Sequence, residues 1–202
     1  DLLENAGIEY LINPFDKKIT EDQLAEIIYE FDVLIAGTEP ITENVLNRAD
    51  NLKHISRVGI GLDNVDLIAA KKRDIKISYT PDAPSLAVAE LTLGLMLTLL
   101  RAVHVSNSQM HKGKWHRVFG KRLEKVTIGI IGVGRIGTGV LKRLKGFDTS
   151  KILVNDIKPN HELDKEHKLE WSSKTQIFKE SDIISLHIPL TRITKNMIRK
   201  EQ

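Results

Sequence analysis

The sequence predicts an α/β protein whose strands form parallel sheets. Short apolar segments with the composition of buried strands alternate with helical segments along most of the 202 residues. Residues 33–36 are continuously apolar, as expected for a strand that is covered on both faces of a parallel sheet. Residues 126–131 also have the composition of a buried strand, and they lead directly into a glycine-rich turn.

Composition and charge exclude several classes of protein. The chain is 41% hydrophobic, has no cysteine and carries a formal net charge of +3, which is ordinary for a globular chain without disulfides. Basic and acidic residues are interspersed, so no nucleic-acid partner is expected. The most apolar run, residues 86–100, is shorter than the roughly 20 residues that span a bilayer. We therefore expect a cytoplasmic protein with no membrane partner. The seven histidines show no metal-ligand spacing, so no metal is expected.

The 202 residues could form one large or two small domains, and the first part of the chain has the pattern of a small parallel sheet. Thr20 and Thr42 precede helical segments and can cap them with their hydroxyl groups. The chain opens with what looks like the end of a helix closed by Gly7, so a further strand is expected to precede Asp1. The expected strands are residues 8–12, 33–36, 55–58 and 75–79, with a helix over 65–73 and a hinge-like turn over 81–84.

The glycine-rich turn has the spacing G-x-G-x-x-G, formed by Gly132, Gly134 and Gly137. The first glycine allows a sharp turn after the strand, the second allows a pyrophosphate to approach the backbone, and the third allows the next helix to pack closely. The helix that begins near Ile136 would offer unpaired N–H groups and the positive end of its dipole to phosphates. The motif predicts a dinucleotide-binding turn, although motifs of this length also occur in other α/β proteins.

A carboxylate stands where a dinucleotide site requires one. Residues 151–155 form the next apolar strand, and Asp156 follows it, 19 residues after Gly137. An acid at this place can accept hydrogen bonds from the adenosine ribose and repels a 2′-phosphate, which favours NAD over NADP. Lys158 is close enough to leave NADP open. The alternatives are a glycine-rich turn in another α/β protein and a methyltransferase loop with a ribose-binding acid.

The rest of the second half supplies fewer strands than a complete dinucleotide-binding sheet. Three strands are expected after residue 125, against about six in such a sheet, so the chain is expected to be incomplete at both ends. A long helix is expected from residue 85 to about residue 112, and its apolar part, residues 86–100, is expected to be buried. The other expected elements are a strand at 182–187, a polar surface segment at 158–175, a helical turn at 176–180 and a helix that starts at 194.

Four motifs in order resemble the D-isomer-specific 2-hydroxyacid dehydrogenase family, and most closely its 3-phosphoglycerate dehydrogenase branch. They are residues 56–66, 80–91, 132–137 and 186–191. The resemblance covers nearly the whole chain. It implies a flavodoxin-like substrate-binding domain over residues 1–82 and a Rossmann NAD-binding domain over residues 83–202. It also implies that the long helix links the two domains and forms a homodimer or a higher homo-oligomer.

The same resemblance implies roles for particular residues. Val58, Gly59, Ile60 and Gly61 would form a loop whose backbone N–H groups hold the substrate carboxylate, although a plain strand-to-helix turn would have the same sequence. Arg57 and Arg117 would bind a substrate phosphate, the second from the partner subunit. The remaining implied residues contact the cofactor: Thr80 near the nicotinamide, Arg135 and Ile136 over the pyrophosphate, and Ile188 and Pro189 at the adenine.

The family's catalytic arginine, glutamate and histidine are expected beyond Gln202, so no residue of this chain is assigned a catalytic role. His187 ends a buried strand and is expected to be packed or adjacent to the cofactor, not a proton donor. Glu90 is expected at the domain junction with a buried hydrogen-bond partner.

The expected activity is NAD-dependent oxidation of 3-phosphoglycerate to 3-phosphohydroxypyruvate, the first step toward serine. Two alternatives stay open: a dehydrogenase for another D-2-hydroxyacid such as glycerate or lactate, and an NAD-sensing corepressor-like binding protein.

Overall fold

The computed structural model describes residues 2–202, which divide into two compact units on either side of the peptide bond between Pro81 and Asp82. Each unit contains a parallel β-sheet with α-helices between successive strands, which confirms the predicted α/β class.

The first unit contains a three-stranded parallel sheet with the strand order β1-β2-β3. A helix connects each pair of successive strands, so the sheet is built from two β-α-β units. The elements are α1 (Leu2–Asn5), α2 (Glu21–Ile27), β1 (Val33–Ala36), α3 (Glu43–Asn47), β2 (His54–Arg57), α4 (Leu67–Lys72) and β3 (Lys76–Tyr79).

The predicted helix caps of this unit are confirmed. The Thr20 hydroxyl accepts a hydrogen bond from the Gln23 backbone N–H, and the Gln23 side chain accepts one from the Thr20 N–H, which completes a capping box at the start of α2. At the start of α3, the Thr42 hydroxyl accepts a hydrogen bond from the Val45 N–H, without a reciprocal side-chain bond. Asp66 caps α4 by accepting hydrogen bonds from the N–H groups of Ile68 and Ala69, and this cap was not predicted.

Two expectations for the first unit are wrong. Residues 8–12 form no strand, because no strand of the described chain pairs with them; Ile8, Leu11 and Ile12 are instead 52–74% exposed. Strand β1 is not covered on both faces. Leu34 and Ala36 pack on the core, whereas the alternate side chains Val33 and Ile35 are more than half exposed.

The second unit contains a four-stranded parallel sheet with the order β6-β5-β4-β7. The chain therefore starts in the interior of the sheet, moves outward through two strands, and returns to the other side of its starting strand. This is the order of a dinucleotide-binding half-sheet. The elements are α5 (Ser85–Leu100), α6 (Val103–His111), β4 (Thr127–Ile131), α7 (Arg135–Leu144), β5 (Lys151–Asn155), β6 (Leu169–Trp171), α8 (Lys174–Glu180) and β7 (Ile183–Leu186).

The three strands expected after residue 125 are present, and the structure adds β6 within the segment expected to be a polar surface. Its three residues, with a glutamate in the middle, give too short a pattern to be recognised from sequence. Residues 194–202 form turns where a helix was expected. Asn196 has a positive φ of 57°, which interrupts a right-handed helix.

The long helix predicted from residue 85 is broken. Ala102 takes the left-handed conformation, with φ 48° and ψ 39°, and α6 continues at an angle of 67° to α5. The prediction that this helix is buried is also wrong: Ala89 and Met96 are buried, but Leu91, Leu95 and Leu99 are 53–62% exposed. Within residues 2–202, no single helix has the length and apolarity to cross a bilayer, and α5 with α6 meets that standard only as a bent pair.

The core of the second unit fixes the position of β4 and α7. Ile128 and Ile130 on β4 and Val140, Leu141 and Leu144 on α7 are fully buried. At Gly129 a side chain would lie 2.5 Å from Ile177, so the glycine allows α8 to pack directly on β4. The end of β4 and the start of α7 are therefore held firmly, and both belong to the candidate site.

A buried histidine makes the stability of the second unit depend on pH. His167 is 7% exposed, and its Nε2 atom has no hydrogen-bond partner in the described chain. Burial lowers the pKa of His167, and Lys142 and Lys145 lower it further, while Glu166 opposes them. The His167 imidazole is therefore protonated less readily in the folded state than in the unfolded chain. As a result, the free energy of unfolding decreases as pH falls below about 6.5.

We predict that His167→Gln reduces this decrease between pH 6.5 and 5, as measured by urea unfolding followed by circular dichroism. The exposed His104→Gln variant serves as the control and should keep the wild-type pH dependence. A wild-type free energy of unfolding that is flat over this range, or an unaltered slope in His167→Gln, would contradict the prediction.

Candidate dinucleotide-binding site

The glycine turn lies at the carboxyl end of β4, between the ends of β5 and β7. Gly132 has a φ of 95°, a conformation that favours glycine. A side chain there would collide with the carbonyl oxygen of His187, which follows β7. The Gly132 N–H donates to the Asn155 carbonyl oxygen at 2.8 Å, which connects the turn to the end of β5. The turn thus occupies the point where the strand order reverses, which is where ligands bind in open α/β sheets.

The other two glycines differ in what surrounds them. Gly134 precedes α7, and a side chain added there would meet no atom within 4 Å, so the backbone is open to a ligand. Gly137 lies in the first turn of α7, and a side chain there would collide with the carbonyl oxygen of Gly132. The helix and the turn are therefore in direct backbone contact. These are the close packing and the open approach that the motif predicted.

The amino end of α7 has the properties of an anion site. The helix is 10 residues long, and no side chain caps it. In the described chain, the N–H groups of Arg135, Ile136 and Gly137 have no acceptor, and the first backbone bond at this end is donated by Thr138 to the Gly134 carbonyl. Three donors and the positive end of the helix dipole thus meet at the open glycine.

Asp156 lies at the mouth of this turn. Its Oδ2 atom accepts a hydrogen bond from the Val133 N–H at 2.7 Å, and its Oδ1 atom accepts one from the Lys158 N–H at 2.9 Å. The carboxylate is therefore held beside the glycines and keeps lone pairs that can accept bonds from a ribose. Lys158 contributes its backbone to this arrangement, in addition to the charge noted in the sequence.

An open apolar cavity of about 320 Å³ follows the end of β7. Ile188 and Pro189 line it, and the Ile188 side chain would meet any side chain placed at Gly132, so the cavity adjoins the glycine turn. An adenine ring fits a surface of this chemistry. The other lining residues are Leu186, Leu190, Thr194, Asn196, Met197 and Ile198.

His187 directly follows β7 and precedes Ile188, and it is partly buried. Its Nε2 atom is 2.9 Å from the Ser185 hydroxyl oxygen. Burial lowers the pKa of His187. A partly buried histidine with a local partner agrees with the packed position that we expected.

In the first unit, two backbone N–H groups of the loop after β2 are hydrogen-bonded within the protein. The Val58 N–H donates to the Ala36 carbonyl oxygen, and the Gly59 N–H donates to the Thr80 hydroxyl oxygen at 2.7 Å. The N–H groups of Ile60 and Gly61 have no acceptor in the described chain. If this loop holds a carboxylate, these two donors are the ones available.

The two predicted phosphate-binding arginines belong to different units. The Arg57 guanidinium folds over its own loop, where Nη1 donates to the Val58 carbonyl oxygen and Nε is buried without a partner in the described chain. Arg117 is exposed, and its guanidinium lies 5.3 Å from the centre of the Phe119 ring. Each arginine therefore keeps hydrogen-bond donors that a phosphate could use.

Two ion pairs of the second unit were not predicted. Arg143 pairs with Glu90 at 2.8 Å, so this glutamate has a partner as expected, but Arg143 is only partly buried and Glu90 itself is exposed. Arg135 pairs with Asp82, with Nε 2.6 Å from Oδ1. These partners lie 53 residues apart in each case, and no local pattern indicates them.

The fold and this site define the second unit as a dinucleotide-binding domain of the Rossmann type. Residues 93–202 match the family model described as the D-isomer specific 2-hydroxyacid dehydrogenase, NAD binding domain. The chain belongs to this family, which confirms the resemblance, and its cofactor is NAD.

Curated relatives and solved structures agree with this assignment. The chain is 38% identical to a hydroxypyruvate reductase of Thermotoga maritima, over all of this chain and 67% of that protein. It is 37% identical to a D-3-phosphoglycerate dehydrogenase of Methanocaldococcus jannaschii, over 91% of this chain and 36% of that protein. The structure of D-lactate dehydrogenase from Aquifex aeolicus, complexed with NAD and lactic acid, has a TM-score of 0.79 and 29% identity, over 90% of this chain and 56% of that one. The chain thus spans about a third to two thirds of these proteins.

The contrast between two glycines gives a direct test of the site. We predict that Gly134→Ala keeps the stability of the wild type to within about 1 kcal/mol but loses most of the affinity for NAD, because the methyl group occupies the approach to the backbone. Gly137→Ala should instead destabilise the fold by about 1–3 kcal/mol or more, because helix and turn must separate. Urea unfolding and NAD titration calorimetry measure the two effects. Unchanged NAD affinity in Gly134→Ala would contradict the assignment of the site.

Proposed function

We propose that the protein containing this chain is an NAD-dependent dehydrogenase that oxidises 3-phosphoglycerate to 3-phosphohydroxypyruvate, with residues 1–82 binding the substrate and residues 83–202 binding NAD. The observation that carries the proposal is the group of free N–H donors at the start of α7 with Asp156 held beside them. A cytoplasmic location and a place in serine formation belong to the same proposal.

In the proposed reaction, the cofactor accepts the hydride and the protein binds and orients the reactants. NAD supplies the acceptor for the hydride that leaves C2 of the hydroxyacid. The turn of Gly132, Gly134 and Gly137 would hold the diphosphate, and Asp156 would accept hydrogen bonds from the ribose hydroxyl groups. The hydroxyl proton must also go to a base, and a cation must polarise the developing carbonyl. We assign neither of these two roles to any residue of this chain.

The substrate loop supports binding of a carboxylate at Ile60 and Gly61, whose N–H groups are available. A phosphate would require further positive charge, and Arg57 with Arg117 can supply it through charge-assisted hydrogen bonds. The relatives support a second candidate, because they include hydroxypyruvate and glyoxylate reductases as well as phosphoglycerate dehydrogenases. In that case the protein would act on a small unphosphorylated acid.

The exposed face of α5 supports a homodimer. Leu91, Leu95 and Leu99 follow one another at four-residue spacing and form one apolar stripe on the helix, 53–62% exposed in the single chain. Val88 extends the stripe toward the start of the helix. A contiguous apolar stripe of this length is typical of a protein–protein contact.

The proposed phosphate recognition can be tested by comparing a substrate that carries a phosphate with substrates that do not. In the full-length protein, Arg57→Gln and Arg117→Gln should each lower kcat/KM for 3-phosphoglycerate by about 10- to 100-fold, because each removes a charged hydrogen bond to the phosphate. The NADH-dependent reduction of glyoxylate or hydroxypyruvate should change by less than about threefold, within the effect of an ordinary surface substitution.

The exposed Arg101→Gln variant is the control and should leave both activities unchanged. Equal losses with phosphorylated and unphosphorylated substrates would show that these arginines do not recognise a phosphate. If the wild type reduces glyoxylate or hydroxypyruvate but does not oxidise 3-phosphoglycerate, the second candidate is favoured.

The dimer can be tested separately. Leu91→Lys combined with Leu95→Lys should halve the molar mass measured by sedimentation equilibrium, because two charges in the stripe would be buried without partners. Leu11→Lys, at an exposed position of the first unit, is the control and should retain the wild-type mass. An unchanged mass in the double variant would contradict the proposed interface.

A further inference from the structure

The ion pair between Arg135 and Asp82 lies at the entrance to the proposed diphosphate site. Arg135 is the first residue of α7 and directly follows the open Gly134. Its Nε atom is 2.6 Å from Oδ1 of Asp82, and the two side chains are 60% and 76% exposed. The pair is therefore accessible to solvent and to any ligand that reaches the glycine turn.

Arg135 carries the only charged side chain in the first turn of α7, whose next residues are Ile136, Gly137 and Thr138. Its positive charge would add to the helix dipole and the free N–H groups in attracting an anion. Asp82 neutralises that charge. A carboxylate and a diphosphate are both anions that bind a guanidinium through the same donors, so the two groups compete.

We propose that Asp82 is the counter-ion of Arg135 in the cofactor-free protein and that the diphosphate of NAD displaces it. Asp82 thereby lowers the affinity for the cofactor and speeds its release. This inference rests on the proposed function, because it takes the glycine turn as the place where the diphosphate binds.

A positioning role for Asp82 would have the opposite consequence. If the carboxylate held Arg135 in the orientation that binds the diphosphate, its removal would weaken NAD binding. Asp82→Asn separates the two roles, because the amide keeps an oxygen that can accept from Nε but loses the negative charge. The sign of the change in affinity therefore identifies the role.

The experiment is a calorimetric titration of NAD and of adenosine, which lacks the diphosphate, into the wild type, Asp82→Asn, Arg135→Gln and the double variant. Asp82→Asn should bind NAD about two- to fivefold more tightly, as expected for an exposed ion pair, and adenosine with unchanged affinity. The gain should disappear in the Arg135→Gln background and shrink at 0.5 M salt, where such charges are screened.

Asp148→Asn is the matched control. It removes one negative charge from an exposed residue that precedes β5. This residue lies at the amino end of the parallel strands, whereas the glycine turn lies at their carboxyl end. NAD affinity should stay at the wild-type value in this variant. Asp82→Ser provides a second way to remove the charge and should also tighten NAD binding.

The outcomes separate the inference from the function that it extends. Weaker or unchanged NAD binding in both Asp82 variants, with normal binding by the wild type, would overturn the counter-ion role alone. A failure of the wild type and of every variant to bind NAD would overturn the proposed cofactor site, and the inference with it. An equal gain for adenosine would show that the effect does not involve the diphosphate.

Discussion

The close contact between Gly137 and the carbonyl oxygen of Gly132 is the constraint on which the rest of the site depends. Because Gly137 has no side chain, α7 packs directly against the backbone of the short turn, residues 132–134, that follows β4. The first N–H groups of the helix then point into the mouth of the sheet at the open Gly134. Any side chain at Gly137 would push the helix away and would remove these donors from the place where a diphosphate can reach them.

Asp156 completes this arrangement from the neighbouring strand. Its carboxylate accepts a hydrogen bond from the Val133 N–H, so the turn itself holds the acid that we propose binds the ribose. Beyond β7, the apolar cavity at Ile188 and Pro189 adjoins the same turn. One backbone turn thus brings together the three chemistries that a dinucleotide requires: donors for the diphosphate, an acceptor for the ribose and an apolar surface for the base.

Local patterns predicted much of this arrangement. Strands β4 and β5, helix α7 and the position of Asp156 all follow from apolar runs and glycine spacing within about 30 residues. Predictions failed where structure depends on distant partners. Residues 8–12 alternate like a strand but pair with no strand within residues 2–202, whereas Leu169–Trp171 has a weak pattern but pairs with β5. The left-handed Ala102, which breaks the long helix, has no sequence signal, because alanine favours helices. The Asp82–Arg135 pair likewise depends on tertiary structure.

A crystal structure of this protein with NAD would test most directly the central claim that the glycine turn binds the diphosphate. The account predicts that the diphosphate lies within hydrogen-bond distance of the N–H groups at the start of α7, and that the adenosine ribose hydroxyl groups donate to the Asp156 carboxylate. A dinucleotide bound elsewhere, or one whose diphosphate does not contact the turn between Gly132 and Gly137, would contradict it.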